Sequence, residues 1–182
     1  MIERLSRRIG FMVAIQCVVL ALSWPGAAHA CDRPIRFEAI EIPNRDEPAL
    51  RGGVWHPAAM PGDTRLPLVV ISHGGGGSYD GHEDTATALA CAGFVVAAVS
   101  HAGDTYQDES RVLELWRRPE QLSRLITFML ADWPMHDRID AARIGAFGFS
   151  NGGFTSLVAV GGVPALAPTQ AYFDAYPQHD LC

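Results

Sequence analysis

The chain has 182 residues, of which 14 are basic and 20 acidic, with 18 Gly and 12 Pro. That length supports one domain of moderate size and leaves too little for a second sizeable core. Every basic residue is Arg, and the absence of Lys excludes a Walker-type phosphate loop and Schiff-base chemistry. The net charge of −6 argues against nucleic acid as a partner, because that affinity rests on a basic footprint.

The first thirty residues read as an export signal and not as part of the fold. Arg4, Arg7 and Arg8 precede an apolar run from Ile9 to Leu22, and Ala28-His29-Ala30 supplies the small-x-small pattern of a signal-peptidase site. The run is short for a retained membrane anchor. Cleavage after Ala30 leaves residues 31–182, with 11 basic and 19 acidic residues and a net charge of −8. The expected location is therefore periplasmic or secreted, with signal peptidase as the partner in export. Cys31 at the new N-terminus raises lipid attachment, against which Ala28 stands where a lipobox usually has Leu. Cys31, Cys91 and Cys182 survive cleavage, enough for one disulfide and one remaining thiol in an oxidising compartment. Cys91 reads as buried in a helix.

After the leader, strands and helices alternate. Ile35 to Ile42 and Ala49 to Trp55 form a predicted hairpin across the turn-forming Pro43-Asn44-Arg45-Asp46. Pro57 to Asp63 is loop by its Pro and Gly content. Leu66 to Ser72 contains Leu68-Val69-Val70-Ile71 in series, the pattern of a strand buried on both faces in a parallel sheet. A glycine run follows, then a helix from about His82 to Cys91 and a second buried strand from Phe94 to Val99. Between Arg118 and Leu130 the apolar residues Leu122, Leu125, Ile126, Met129 and Leu130 fall at helical spacing, with Pro119-Glu120 in the first turn. Arg143 to Phe149 reads as a third buried strand and Gly152 to Val160 as a short helix. Trp55, Trp116 and Trp133 are expected to anchor core and loops, and Arg117 and Arg118 to pair with a carboxylate such as Glu114. The alternation after an opening hairpin specifies an α/β layer fold.

Two segments carry chemistry. Gly148-Phe149-Ser150-Asn151-Gly152 stands between a predicted strand and a helix, where a nucleophilic Ser occupies a strained turn and small neighbours let the chain fold tightly over itself. That turn lifts the Ser150 hydroxyl above the sheet and leaves the Asn151 N–H facing the place of a tetrahedral oxyanion. Ser72-His73-Gly74-Gly75-Gly76-Gly77 follows the first parallel strand, and its glycines allow backbone N–H groups to converge on negative charge. No G-x-G-x-x-G frame exists there, so oxyanion binding by Gly74 or Gly75 is the better use.

On these residues the chain resembles the α/β-hydrolase superfamily, and within it the predicted dienelactone hydrolase and platelet-activating-factor acetylhydrolase-like group. The matching segments are Val54-Trp55-His56-Pro57, Ser72 to Gly77, Ser100-His101-Ala102-Gly103-Asp104-Thr105, Trp116-Arg117-Arg118-Pro119-Glu120 and the turn at Gly148 to Gly153. The resemblance covers about residues 35 to 160. It implies the N-terminal half of a three-layer α/β-hydrolase sandwich, an opening β-hairpin followed by parallel βα units. It also implies a Ser, Asp, His triad acting on a carboxylic ester, thioester or lactone, with Ser150 as nucleophile and a small ester-like substrate.

In that pattern the acid and base follow the nucleophile after further strands. Only 32 residues follow Ser150, and within them Asp174 and His179 stand in the required order without a strand-like run to place them. The expectation is a partial hydrolase domain over residues 31–182. Two classes result, a serine hydrolase or a catalytically inactive relative. Without further strands, the strand at Arg143 to Phe149 is expected to be an exposed apolar edge, prone to self-association. His73 is expected to orient its loop, and His73, His101 and Asp104 are placed as substrate-entrance candidates at the carboxyl edge of the sheet. No H-E-x-x-H or comparable ligand spacing points to a metal, and acyl transfer by Ser requires no cofactor.

Overall fold

The computed structural model describes residues 31, 33–45, 47–165, 171–172 and 174–176. The expected leader lies outside the described residues. The chain divides after residue 32, and the architecture below is that of the second unit.

Strands β1 (Ile35–Asn44) and β2 (Glu47–Pro57) pair antiparallel from Ile35↔Pro57 to Asn44↔Glu47. The hairpin is longer and its turn tighter than the Pro and Asn content suggests. Pro43 and Asn44 stay in the strand, and Arg45 turns the corner at φ 50°, the left-handed conformation that short hairpin loops demand. Strands β3 (Leu66–Ser72), β4 (Val95–Val99) and β5 (Ile139–Gly148) complete a five-stranded sheet in the order β1-β2-β4-β3-β5. β2 runs antiparallel to β1 and to β4, whereas β4, β3 and β5 are mutually parallel.

Among the described residues, helices α1 (Glu83–Cys91), α2 (Arg117–Ala131) and α3 (Asn151–Ala159) cover this sheet. The strand period of two divides β4 between two cores. Val95, Ala97 and Val99 face Leu122, Leu125 and Met129 of α2, while Val96 and Ala98 face Ala86 and Ala90 of α1. Each of Leu122, Leu125 and Met129 is fully buried, a contribution of about 2 kcal/mol apiece. α3 lies beside α2 on its face of the sheet. The result is the expected three-layer arrangement.

The connections position the site. β3 leads to α1 on one face, and its neighbour β5 leads to α3 on the other. The chain therefore leaves the paired carboxyl ends of β3 and β5 towards opposite faces, and this edge of the sheet is the one at which open α/β folds hold ligands.

Three sequence expectations need correction. β5 is exposed along almost its whole length, with Ile144 and Phe147 open to solvent, so it is not the buried strand its apolar run suggests but the exposed apolar edge expected of Arg143 to Phe149. It is the outer strand of the sheet among the described residues, so its apolar side chains lack a layer on their outer side. Cys91 is only half-buried, and both it and Cys31 are disulfide-bonded. Trp55 and Trp133 are core residues, but Trp116 is exposed and does not belong to the core.

Candidate active site

Ser150 sits at φ 53° and ψ −121°, between the last residue pair of β5 and the first turn of α3. A side chain in that region carries roughly 1–3 kcal/mol of strain, so the surrounding structure must enforce it. The enforcement is visible in the glycines. A Cβ on Gly148 would run into the Gly152 carbonyl, and one on Gly152 into the Ser72 carbonyl. The turn closes only because neither residue has a side chain. Its backbone is held by Gly152 N–H donating to Phe149 O at 2.8 Å and Gly153 N–H to Ser150 O at 2.8 Å. Ser150 itself is exposed.

The glycine loop after β3 lies directly beside this turn. A Cβ built on Gly74 would stand 3.6 Å from Ser150 Cβ, and one on Gly75 would stand 2.9 Å from Asn151 Nδ2. Among the described residues, nothing accepts a hydrogen bond from the N–H groups of Gly74, Gly75 or Asn151. Free N–H groups beside a serine hydroxyl and at a helix N-terminus are the donor set that a developing oxyanion requires.

Behind the donors lies a buried polar network. Arg118 of α2 forms an ion pair with Asp104 Oδ2 and donates to the His73 carbonyl. Its Nε donates to Thr155 Oγ1 at 3.1 Å, and Thr155 Oγ1 in turn donates to Asn151 O at 2.8 Å. The other carboxylate oxygen of Asp104 accepts from Gly76 N–H at 2.7 Å. The His101 ring bridges Ser72 Oγ at 2.8 Å and Gln121 Oε1 at 2.9 Å, and the His101 backbone N–H donates to His73 Nε2 at 3.0 Å. His73 Nδ1 then lies 2.6 Å from Gly74 O.

These contacts set the tautomers. His73 accepts at Nε2, so Nδ1 carries the proton and donates to Gly74 O; Gln121 Oε1 likewise requires a proton on His101 Nδ1. Both imidazoles are neutral. Burial pushes His73 down to about 4, aided by the Arg118 charge, and burial together with Arg118 holds His101 well below the ordinary histidine range. Neither ring has a nitrogen left for Ser150.

His73, His101 and Asp104 are thus corrected as substrate-entrance residues. All three are at most 2% exposed and serve the loop from beneath. The expectation that His73 orients its loop agrees with the geometry. Arg118 is not paired with Glu114; Arg117 makes that contact at 3.6 Å and also pairs with Glu47. Glu47 lies between Arg111 and Arg117, whose hydrogen bonds hold its carboxyl down at about 2.

Sequence reading gave Arg118 a carboxylate partner but no place at the site, and it missed Gln121 and Thr155. Arg118 and Gln121 share the buried stripe of α2 with Leu122, Leu125 and Met129. A charge in phase with an apolar stripe was the available signal.

No histidine or carboxylate among the described residues hydrogen-bonds to the Ser150 hydroxyl. Asp174 is exposed in a helical turn, and His179 lies outside the described residues. A cavity of about 400 Å³ opens between β2 and the loop after β4, lined by Arg51, Tyr79, Tyr106 and Arg111 among others; Ser150 is not in its wall.

The chain matches the family described as platelet-activating factor acetylhydrolase, isoform II, over residues 44–116. No curated protein matches it. Among solved structures it is similar to a ferulic acid esterase from Streptomyces cinnamoneus, at 22% identity and a TM-score of 0.61, over 74% of this chain and 57% of that one. It is also similar to an esterase from the hyperthermophilic archaeon Pyrobaculum calidifontis, at 27% identity and a TM-score of 0.53, over 71% of this chain and 40% of that one. An acylaminoacyl peptidase from Pyrococcus horikoshii aligns at 20% identity and a TM-score of 0.54, over 71% of this chain and 21% of the other. The chain therefore spans little more than half the length of the first of these structures and less of the others.

Proposed function

We propose that this chain, which is similar to esterases in fold and matches an acetylhydrolase family over residues 44–116, is part of a serine hydrolase of the α/β-hydrolase type acting on carboxylic ester, thioester or lactone bonds. The observation that carries the reading is the juxtaposition of a strained Ser150 with three free N–H groups, those of Asn151, Gly74 and Gly75. In this reading Ser150 Oγ forms a bond to the acyl carbon while its proton passes to a base. The carbonyl oxygen gains the electron pair and is held by the Asn151 N–H and by that of Gly74 or Gly75. Collapse of the intermediate expels the alcohol or thiol and leaves an acyl group on Ser150, which water then removes.

Hydrolysis of p-nitrophenyl acetate by the purified chain and by Ser150→Ala tests this. The reading expects turnover that the substitution removes. Equal turnover in both would reject Ser150 as nucleophile.

A second reading, a noncatalytic protein of the same fold, is favoured by one observation: no base among the described residues reaches Ser150. Asp174 and His179 are the acid and base available later in the chain, and His179→Ala separates the readings. Loss of turnover in that variant supports the complete triad. Undetectable turnover in both the wild type and His179→Ala supports the noncatalytic protein. We also propose export, with a mature N-terminus at Cys31; N-terminal sequencing of the protein recovered outside the cytoplasm checks it.

A further inference from the structure

The two candidate oxyanion peptides are gripped from behind, and the grip on one of them comes from α2. A peptide unit is planar and trans, so its C=O and N–H point in opposite directions. Whatever holds the carbonyl therefore aims the amide. The unit that ends in the Gly74 N–H begins with the His73 carbonyl, which accepts from Arg118. The unit that ends in the Gly75 N–H begins with the Gly74 carbonyl, which accepts from His73 Nδ1 at 2.6 Å and from Gly77 N–H at 3.2 Å. On the other side of the site, Arg118 Nε reaches Thr155 Oγ1, which holds the carbonyl of Asn151.

We propose that Arg118 is the positioning residue of the oxyanion site: it aims and polarises the Gly74 N–H through the His73 carbonyl and locks that loop to the nucleophile turn through Thr155. The proposal rests on Ser150 being the nucleophile. A cation donating to a carbonyl draws charge along the peptide and makes the N–H beyond it a stronger donor. The guanidinium is suited to this because its rigid fork serves four acceptors at once, Asp104, His73 O, Thr155 Oγ1 and, at 3.4 Å, Ser72 Oγ. Asp104 neutralises the buried charge and, through Oδ1, holds Gly76 N–H in the same loop. Arg118 touches neither the substrate position nor the Ser150 hydroxyl, so its effect is confined to where the donors point and how strongly they bind.

An ester and its thionoester with the same leaving group separate this role from a general structural one. Sulfur is a poor hydrogen-bond acceptor, so the thionoester draws little on the oxyanion donors. Arg118→Lys keeps a cation beside Asp104 but cannot serve all four acceptors. The expected result is a Ser150-dependent ester rate reduced about tenfold or more, within the range set by loss of one oxyanion donor, with the thionoester rate little changed. The Gly74 amide ¹⁵N resonance should move upfield as its carbonyl partner is lost. Arg118→Met combined with Asp104→Asn leaves no unpaired buried charge and should show the same selective loss if the lysine variant folds poorly. Equal losses with both substrates, or no loss with an unmoved Gly74 resonance, would overturn the positioning role while leaving Ser150 in place. Rates unaffected by Ser150→Ala would reject the nucleophile itself and the positioning role with it.

Discussion

The two sides of β5 differ in what covers them. On its β3 side, at the carboxyl end, the backbone closes against Ser72 and the glycine loop, and every buried polar group of the network beneath has a partner. On its other side β5 has no partner strand among the described residues, and Ile144, Phe147 and, just beyond the strand, Phe149 are exposed, along with Leu157 of α3 and Val160 just past its end. The same ten-residue strand thus borders the most determined part of the molecule and its least covered apolar surface. Satisfaction of the polar crest does not depend on the outer side, so the donor geometry of the site is built by residues before and immediately after Ser150. Among the described residues the crest has no base for Ser150.

The comparison can be broken at its tightest point by Gly152→Ala. The new Cβ would meet the Ser72 carbonyl, which β-sheet pairing prevents from moving aside, and a loss of about 3 kcal/mol or more in urea denaturation is expected. A loss under about 1 kcal/mol would show the turn to be more pliable than its geometry implies.

Acid tests the crest as a whole. His73, held at about 4 when folded and near 6.5 when unfolded, binds a proton on unfolding in the interval between, and His101 adds to the effect. Unfolded chains then carry more protons, so stability is full above about pH 6.5 and falls as pH drops towards 4. His73 alone should account for about 3 kcal/mol across that window. His73→Gln should flatten the fall in stability measured by denaturant titration at each pH; an unchanged slope would place the acid sensitivity elsewhere.

The outer side gives the smallest effect on stability and a different readout. Phe147→Lys places a charge on the exposed strand, so stability should change by less than about 1 kcal/mol while concentration-dependent association in sedimentation declines. A chain that is monomeric before the substitution would remove self-association through this edge.

The order of elements was legible because the strand and helix periods are strong here: β3 and β4 announce themselves by unbroken apolar runs, α2 by its stripe. β5 carries the same kind of apolar run yet is exposed, as its place at the edge of the sheet dictates. An apolar run states what a strand is suited to pack against, and not whether that neighbour is present. At the site, the nucleophile turn was legible because Gly148 and Gly152 are steric necessities tied to local sequence. His73, His101 and Asp104 were recognised as lying at the strand ends, but position at an edge does not fix direction, and they point inward. Arg118 joins Asp104, His73 and Thr155 across separations of 14 to 45 residues, contacts that no local spacing encodes.

The most direct test is covalent. A fluorophosphonate reacts with a serine whose hydroxyl is activated and whose phosphoryl oxygen can be held by donors, and peptide mass spectrometry locates the adduct. The structure predicts one adduct, on the peptide containing Ser150, lost in Ser150→Ala and in urea-unfolded protein. Labelling that persists in Ser150→Ala, or that is absent from the folded wild-type chain, would contradict the assignment of this turn and its donors as a reactive site.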